Sequence, residues 1–133
     1  MVQVDDEPRT AWLHKAAQLL LIGYWITLFV GTHWPRAPEL LGIGQSDKLL
    51  HLTAYFVLAV LLGANVALRR HFGWWPALLC LAAIVAFGAF DEITQPPFGR
   101  DANGYDWLAD CVGAAAGLIA VAAVAMFWRR PAA

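Results

Sequence analysis

Asp47-Lys48-Leu49-Leu50-His51-Leu52-Thr53-Ala54-Tyr55-Phe56-Val57-Leu58-Ala59-Val60-Leu61-Leu62-Gly63-Ala64-Asn65-Val66-Ala67-Leu68 is the stretch that decides the fold. From Leu49 to Leu68 it is apolar almost throughout and is closed by Arg69-Arg70-His71. That matches the roughly 20 residues an α-helix needs to cross a hydrocarbon layer of about 30 Å. In lipid the backbone must satisfy its own hydrogen bonds, so such a run reads as a spanning helix. Its ionisable residues gather at the beginning, and this asymmetry guides the reading of the rest.

Three further segments follow the same rule. Trp12 to Val30, with Arg9 ahead of it and His14 and Lys15 at its start, runs to the loop Gly31-Thr32-His33-Trp34-Pro35. Trp74 to Phe90 is closed by Asp91-Glu92 and then Pro96-Pro97, and the last segment runs from Tyr105 and Trp107 to Trp128, before Arg129-Arg130-Pro131. A composition of 60% hydrophobic and only 14% charged residues, with seven Trp, excludes an ordinary soluble domain. The expected fold is therefore all-α, an integral membrane four-transmembrane-helix bundle. Residues 1–11, with Asp5-Asp6-Glu7, read as a flexible tail, and 12–130 as a single domain. A cleaved signal peptide is the rival reading of the first segment, but its apolar run exceeds the usual 7–15 residues or so and no A-x-A-like site follows. Nucleic acid is not an expected partner at a net charge of -1. Cys80 and Cys111 fall at different depths and read as packing residues, not a disulfide.

Basic residues set the orientation. Arg9, Lys15, Arg69, Arg70, Arg129 and Arg130 lie on one side, against Arg36, Lys48 and Arg100 on the other. The richer side is expected to be cytoplasmic, which puts both termini inside and the loops Gly31 to Ser46 and Asp91 to Tyr105 outside.

Helical geometry then collects the polar residues. Asp47, His51 and Tyr55 are spaced i, i+4, i+8, which keeps them within roughly 80° of arc and runs about 12 Å inward. Gly88, Asp91, Glu92 and Gln95 share a face of the third segment if its helix continues to Pro96, and Asp106, Asp110, Gly113 and Gly117 share one on the fourth. Gly113-x-x-x-Gly117 reads as a close-packing motif. Plainer explanations compete: Ser46-Asp47 and Asp106 as helix caps, Asp101-Ala102-Asn103-Gly104 as a solvated turn, His14 and His33 as interfacial residues. They account least well for His51, Glu92 and Asp110, which lie about a turn inside their segments.

Asp47-Lys48-Leu49-Leu50-His51 with Tyr55, then Asp91-Glu92-Ile93-Thr94-Gln95 with Phe98-Gly99-Arg100, then Asp106-Trp107-Leu108-Ala109-Asp110 with Gly113 and Gly117 together resemble the signature of the VanZ-like membrane protein family. The likeness covers about Trp12 to Trp128. It implies a multi-pass protein of the bacterial inner membrane, of a family linked to resistance against the glycopeptide teicoplanin, with the motif residues facing the periplasm or exterior. Membership supplies no reaction. One departure is Pro96-Pro97, which shortens the stretch between Gln95 and Arg100.

Six carboxylates, Asp47, Asp91, Glu92, Asp101, Asp106 and Asp110, face Lys48 and Arg100 in this cluster. So many like charges need protons, partners, separation or a cation, and a divalent cation is the one cofactor they suggest. The leading expectation is a site for a polar or phosphorylated head group of a membrane lipid or lipid-linked envelope precursor. His51, Glu92 and Asp110 are the candidate catalytic residues, handling protons or holding a metal. Asp47, Lys48, Tyr55, Asp91, Gln95, Arg100 and Asp106 are the candidate binding residues. Whether chemistry occurs stays open, since no G-x-S-x-G or H-E-x-x-H motif is present. The alternatives are a small proton- or cation-coupled transporter and a structural accessory protein.

Overall fold

The computed structural model describes residues 7–34 and 47–128. Its four α-helices are α1 (Glu7–Thr32), α2 (Asp47–Ala67), α3 (Trp74–Thr94) and α4 (Gly104–Trp128), with a 3₁₀ turn, Pro96–Phe98, between the last two. Among the described residues there is no strand, and all four helices are long and apolar enough to cross a membrane. Large apolar side chains such as Leu19 and Ile26 on α1, and Ile119 and Met126 on α4, point outward. Helices that are apolar on their outer as well as inner faces are what a lipid environment demands.

Two boundaries differ from the apolar segments themselves. α1 begins at Glu7, so of the tail expected over 1–11 only the part before it lies outside the described residues. α3 runs on past Phe90 to Thr94, which brings Asp91 and Glu92 into its last turn. Pro96 has no N–H to continue the ladder, and the chain tightens instead, with Phe98 N donating to the Gln95 carbonyl at 2.9 Å. Gly99 then adopts φ 78°, ψ 24°, a left-handed conformation that glycine enters without penalty. It turns the chain so that Arg100 meets the start of α2.

The bundle is organised by the contact of α2 with α4. A Cβ at Gly113 would collide with the Leu52 carbonyl oxygen, and one at Gly117 would lie 2.5 Å from the Phe56 oxygen and 2.8 Å from Ala59 Cβ. Gly63 makes the same allowance from α2, where a Cβ would meet Leu118 and Val121 at 3.2 Å. Small residues let backbones approach closely, and dispersion then drives association where lipid tails are as apolar as the protein. Leu58, Ala59, Ile84, Ala114, Leu118 and Val121 fill the middle. Cys80 and Cys111 are free thiols.

α1 is peripheral: 6% of its apolar window is buried, against 28–33% for the other helices. Polar contacts to backbone carbonyls fasten it. Tyr24 donates from its hydroxyl to Ala54 O at 2.9 Å, Asn65 Nδ2 donates to Ala17 O at 3.0 Å, and His14 Nε2 donates to Leu68 O at 3.1 Å.

Replacing Gly117 by Ala should force α2 and α4 apart and lower stability by about 1–3 kcal/mol, the range of overpacked cores. Ala116→Val, on the exposed side of the same helix, should stay within about 0.5 kcal/mol. Thermal unfolding in detergent micelles distinguishes the two.

Candidate functional site

The C-terminal ends of α1 and α3 meet the N-terminal ends of α2 and α4 at one end of the bundle, and there the polar residues converge. At the centre stand His51 from α2, Glu92 from α3 and Asp110 from α4, all buried. His51 Nδ1 donates to Asp110 Oδ1 at 2.9 Å and lies 3.8 Å from Glu92 Oε1. Glu92 is held in turn by Asn103, whose backbone N donates to Oε2 at 2.7 Å, and by Gln95 Nε2, which reaches Oε1 at 3.3 Å.

A second neighbourhood surrounds Asp91, which has no exposed surface. Thr32 donates to Oδ1 at 2.9 Å, Tyr55 donates to Oδ2 at 3.3 Å, and His33 Nδ1 stands 3.6 Å from Oδ1. His33 is itself fixed through Nδ1 to Phe29 O at 2.8 Å and through Nε2 to Thr94 Oγ1 at 3.0 Å. Tyr55 joins the two neighbourhoods, its ring lying nearly parallel to that of His51 with centroids 6.4 Å apart.

Ion pairs form the rim. Arg100 donates to Asp47 Oδ2 at 2.9 Å, and Lys48 Nζ lies 3.6 Å from Asp106 Oδ1. Asp106 and Asp110 are buried, yet Asp106 Oδ1 and Asp110 Oδ2 have no hydrogen-bond partner. Buried polar atoms without partners are rare and carry a desolvation penalty of about 1–3 kcal/mol each. Asp110 Oδ2 lies beside Gly88, where a Cβ would come within 3.2 Å of it and within 3.3 Å of Tyr55 and Trp107. Gly88 thus makes room for the site.

The ten motif residues, Asp47, Lys48, His51, Tyr55, Asp91, Glu92, Gln95, Arg100, Asp106 and Asp110, all lie at this end. The stripe on α2 grades from half-buried Asp47 through His51 to fully buried Tyr55, as its spacing predicts. Lys48 is largely exposed, and Asp101 is a solvated loop residue, so five carboxylates rather than six build the cluster. Asp106 is no simple cap: Asn103 Oδ1 takes the Tyr105 N–H at 3.0 Å at the start of α4, leaving the Asp106 carboxylate to the cluster. Ser46, the other expected cap residue, lies outside the described residues.

Thr32, His33 and Asn103 complete the site and were not expected in it. His33 is buried, not interfacial. The available signal was position, because His33 ends the first segment on the same side as the motif residues. Nothing in the spacing could reveal that the Asn103 amide turns toward Glu92.

A half-open cavity of about 210 Å³ adjoins the cluster. Its walls are Tyr24, Thr27, Leu28, Gly31 and Thr32 of α1 and Leu50 and Ala54 of α2, and its polar end is made by Asp47, His51 and Arg100.

In comparison with known proteins, no family model, curated protein or solved structure matches the chain. The chemistry of the site therefore carries the functional reading.

Tyr55→Phe and Thr32→Val each remove one donor from buried Asp91 and should each cost about 1–3 kcal/mol. The double variant should depart from additivity by at least about 0.5 kcal/mol, because both donors serve one carboxylate. Asp101→Asn should change nothing, and unfolding in micelles provides the measurement.

Proposed function

We propose that the chain is a multi-pass membrane protein that binds the polar or phosphorylated head group of a membrane amphiphile at this end of the bundle. The observation carrying the proposal is the cavity between α1 and α2, apolar along its walls and capped by His51, Asp47 and Arg100. A volume of about 210 Å³ suits a head group and its first carbons rather than a whole lipid. The remaining chain would lie along the exposed apolar surface of α1. Ligand sites of this kind are apolar with a few placed polar groups that fix orientation.

Arg100 supplies the anion contact. Its bond to Asp47 uses one of the five donors of a guanidinium, leaving a fork suited to phosphate or carboxylate oxygens. Exposed Lys48 adds positive charge at the rim. If the bound head group is transformed, hydrolysis or transfer is the chemistry that fits. His51, held by Asp110, would move the proton, and Glu92 would act as the second acid or base.

The likeness to VanZ-like proteins supports a bacterial envelope setting, with a lipid-linked wall precursor as one such amphiphile. The basic-residue bias supports an exterior or periplasmic site with both termini cytoplasmic.

The transporter reading finds less support. Below Tyr55 the described core is Leu58, Ile84, Ala114, Leu118 and Val121, and the Asn65 amide is engaged by Ala17 O and Leu61 O. A proton relay needs polar groups in sequence across the membrane, and these residues interrupt one.

Mass spectrometry of protein purified in mild detergent should find an anionic amphiphile enriched over the bulk membrane lipids. Arg100→Ala and His51→Ala should lose it while folding is retained. Absence of enrichment, or retention in both folded variants, would refute the head-group site. For sidedness, Cys80 and Cys111 are replaced by Ala, and single cysteines are placed at Ala102 and Arg70, both exposed. An impermeant thiol reagent on intact cells should label Ala102→Cys alone, and the reverse pattern would overturn the orientation.

A further inference from the structure

We propose that His51, Glu92 and Asp110 form a binding site for a divalent transition-row cation, Mn²⁺ or Zn²⁺, held between α2, α3 and α4. One donor atom from each of the three side chains lies within 4.8 Å of the other two, and all three residues are buried. At a metal–ligand distance of about 2.1 Å, adjacent octahedral ligands stand roughly 3.0 Å apart and opposite ones roughly 4.2 Å. The separation of 2.9 Å from His51 Nδ1 to Asp110 Oδ1 is close to the adjacent-ligand value, and the 3.8 Å to Glu92 Oε1 lies between the two values.

Acidic residues gather for many reasons, and a second observation points to a ligand here. The Asp110 carboxylate is 1% exposed, and its Oδ2 has no hydrogen-bond partner. The other oxygen of that carboxylate is already directed at the His51 imidazole. A cation bound through Oδ2, alone or together with Oδ1, supplies the compensation that the protein leaves out. An adjoining set, Asp47, His51 and Asp106, meets the same 4.8 Å limit and shares the imidazole, with the Lys48 ammonium 3.6 Å from Asp106 Oδ1. Asp47, the partly exposed member of this outer set, is ion-paired with Arg100 at 2.9 Å.

The donor chemistry selects the ion. Carboxylates suit hard cations and imidazole suits Zn²⁺ and its neighbours, so one nitrogen among oxygens favours Mn²⁺ or Zn²⁺ over Ca²⁺ and disfavours soft ions. Glu92 is also braced as a ligand should be, by the Asn103 amide on one oxygen and Gln95 on the other. Such outer contacts orient ligands and raise affinity. The ion site goes beyond the head-group reading and does not depend on it.

The full chain in detergent micelles, stripped with a chelator and titrated with Mn²⁺, tests the proposal through loss of the free-ion electron paramagnetic resonance signal. About one ion should bind per chain. His51→Gln, Glu92→Gln and Asp110→Asn should each weaken binding by at least about tenfold, the lower end of the effect of losing even an outer contact. Asp101→Asn, in the exposed loop, should leave it unchanged. Circular dichroism and gel filtration report folding. X-ray absorption of the wild-type chain loaded with Zn²⁺ provides a readout that needs no variant, and should show one imidazole nitrogen among oxygen ligands. No binding by the wild type, unchanged binding in folded variants, or a sulfur-ligated ion from Cys80 or Cys111 would each overturn the site. Lipid enrichment is measured separately, so loss of the ion proposal and loss of the head-group proposal remain distinguishable.

Discussion

The close approach of α2 and α4 is the constraint on which the rest of the structure depends. Gly113 and Gly117 bring the backbones together at Leu52 and Phe56, where no side chain would fit. Asp110 sits one turn before Gly113, and His51 is the neighbour of Leu52. The packing contact and the 2.9 Å His51–Asp110 bond are therefore adjacent parts of one interface. A residue with a side chain at Gly113 would do more than loosen the core. It would move the carboxylate of α4 away from the imidazole of α2, and the polar cluster would lose its centre.

That cluster concentrates carboxylates where solvation is poor, and its arrangement follows from the need to compensate them. Partners come from α1, α2 and the connection between α3 and α4: Thr32 and Tyr55 for Asp91, Gln95 and Asn103 for Glu92, His51 for Asp110, Arg100 for Asp47. Breaking a buried charged contact leaves a desolvated partner behind, which makes such a network a strong determinant of which helix faces meet. Satisfaction is incomplete at Asp106 and Asp110. At Asp106 the Lys48 ammonium stands 3.6 Å from Oδ1 in place of a hydrogen bond, whereas Asp110 Oδ2 faces the space left by Gly88.

Much of this was legible in the sequence because membrane helices obey simple rules. Spans follow from apolar length, and the face shared by Asp47, His51 and Tyr55 follows from a four-residue repeat. The glycine spacing on α4 announced close packing, although not the particular carbonyls it would meet. What escaped were features set by irregular backbone. The turn after Pro96 and the left-handed Gly99 carry Arg100 to Asp47, and the following loop aims the Asn103 amide at Glu92. His33 escaped for a different reason. A histidine after an apolar run is usually an interfacial residue, and only the tertiary approach of α3 encloses it against Asp91 and Thr94.

α1 forms one wall of the cavity that adjoins the polar end. The other three helices bury far more of their surfaces, whereas α1 is fastened by a few side-chain bonds to carbonyls. Two polar contacts of α1, from Tyr24 to the Ala54 carbonyl and from Thr32 to the Asp91 carboxylate, bracket the cavity that ends at His51. A helix held at points leaves space between them, and that space is mainly apolar along its walls and polar at the end formed by Asp47, His51 and Arg100. The glycine contact assembles the polar end, while the sparse attachment of α1 leaves the cavity beside it. Tightening α1 against α2 with apolar packing would make a more compact bundle, but it would fill the cavity beside the cluster.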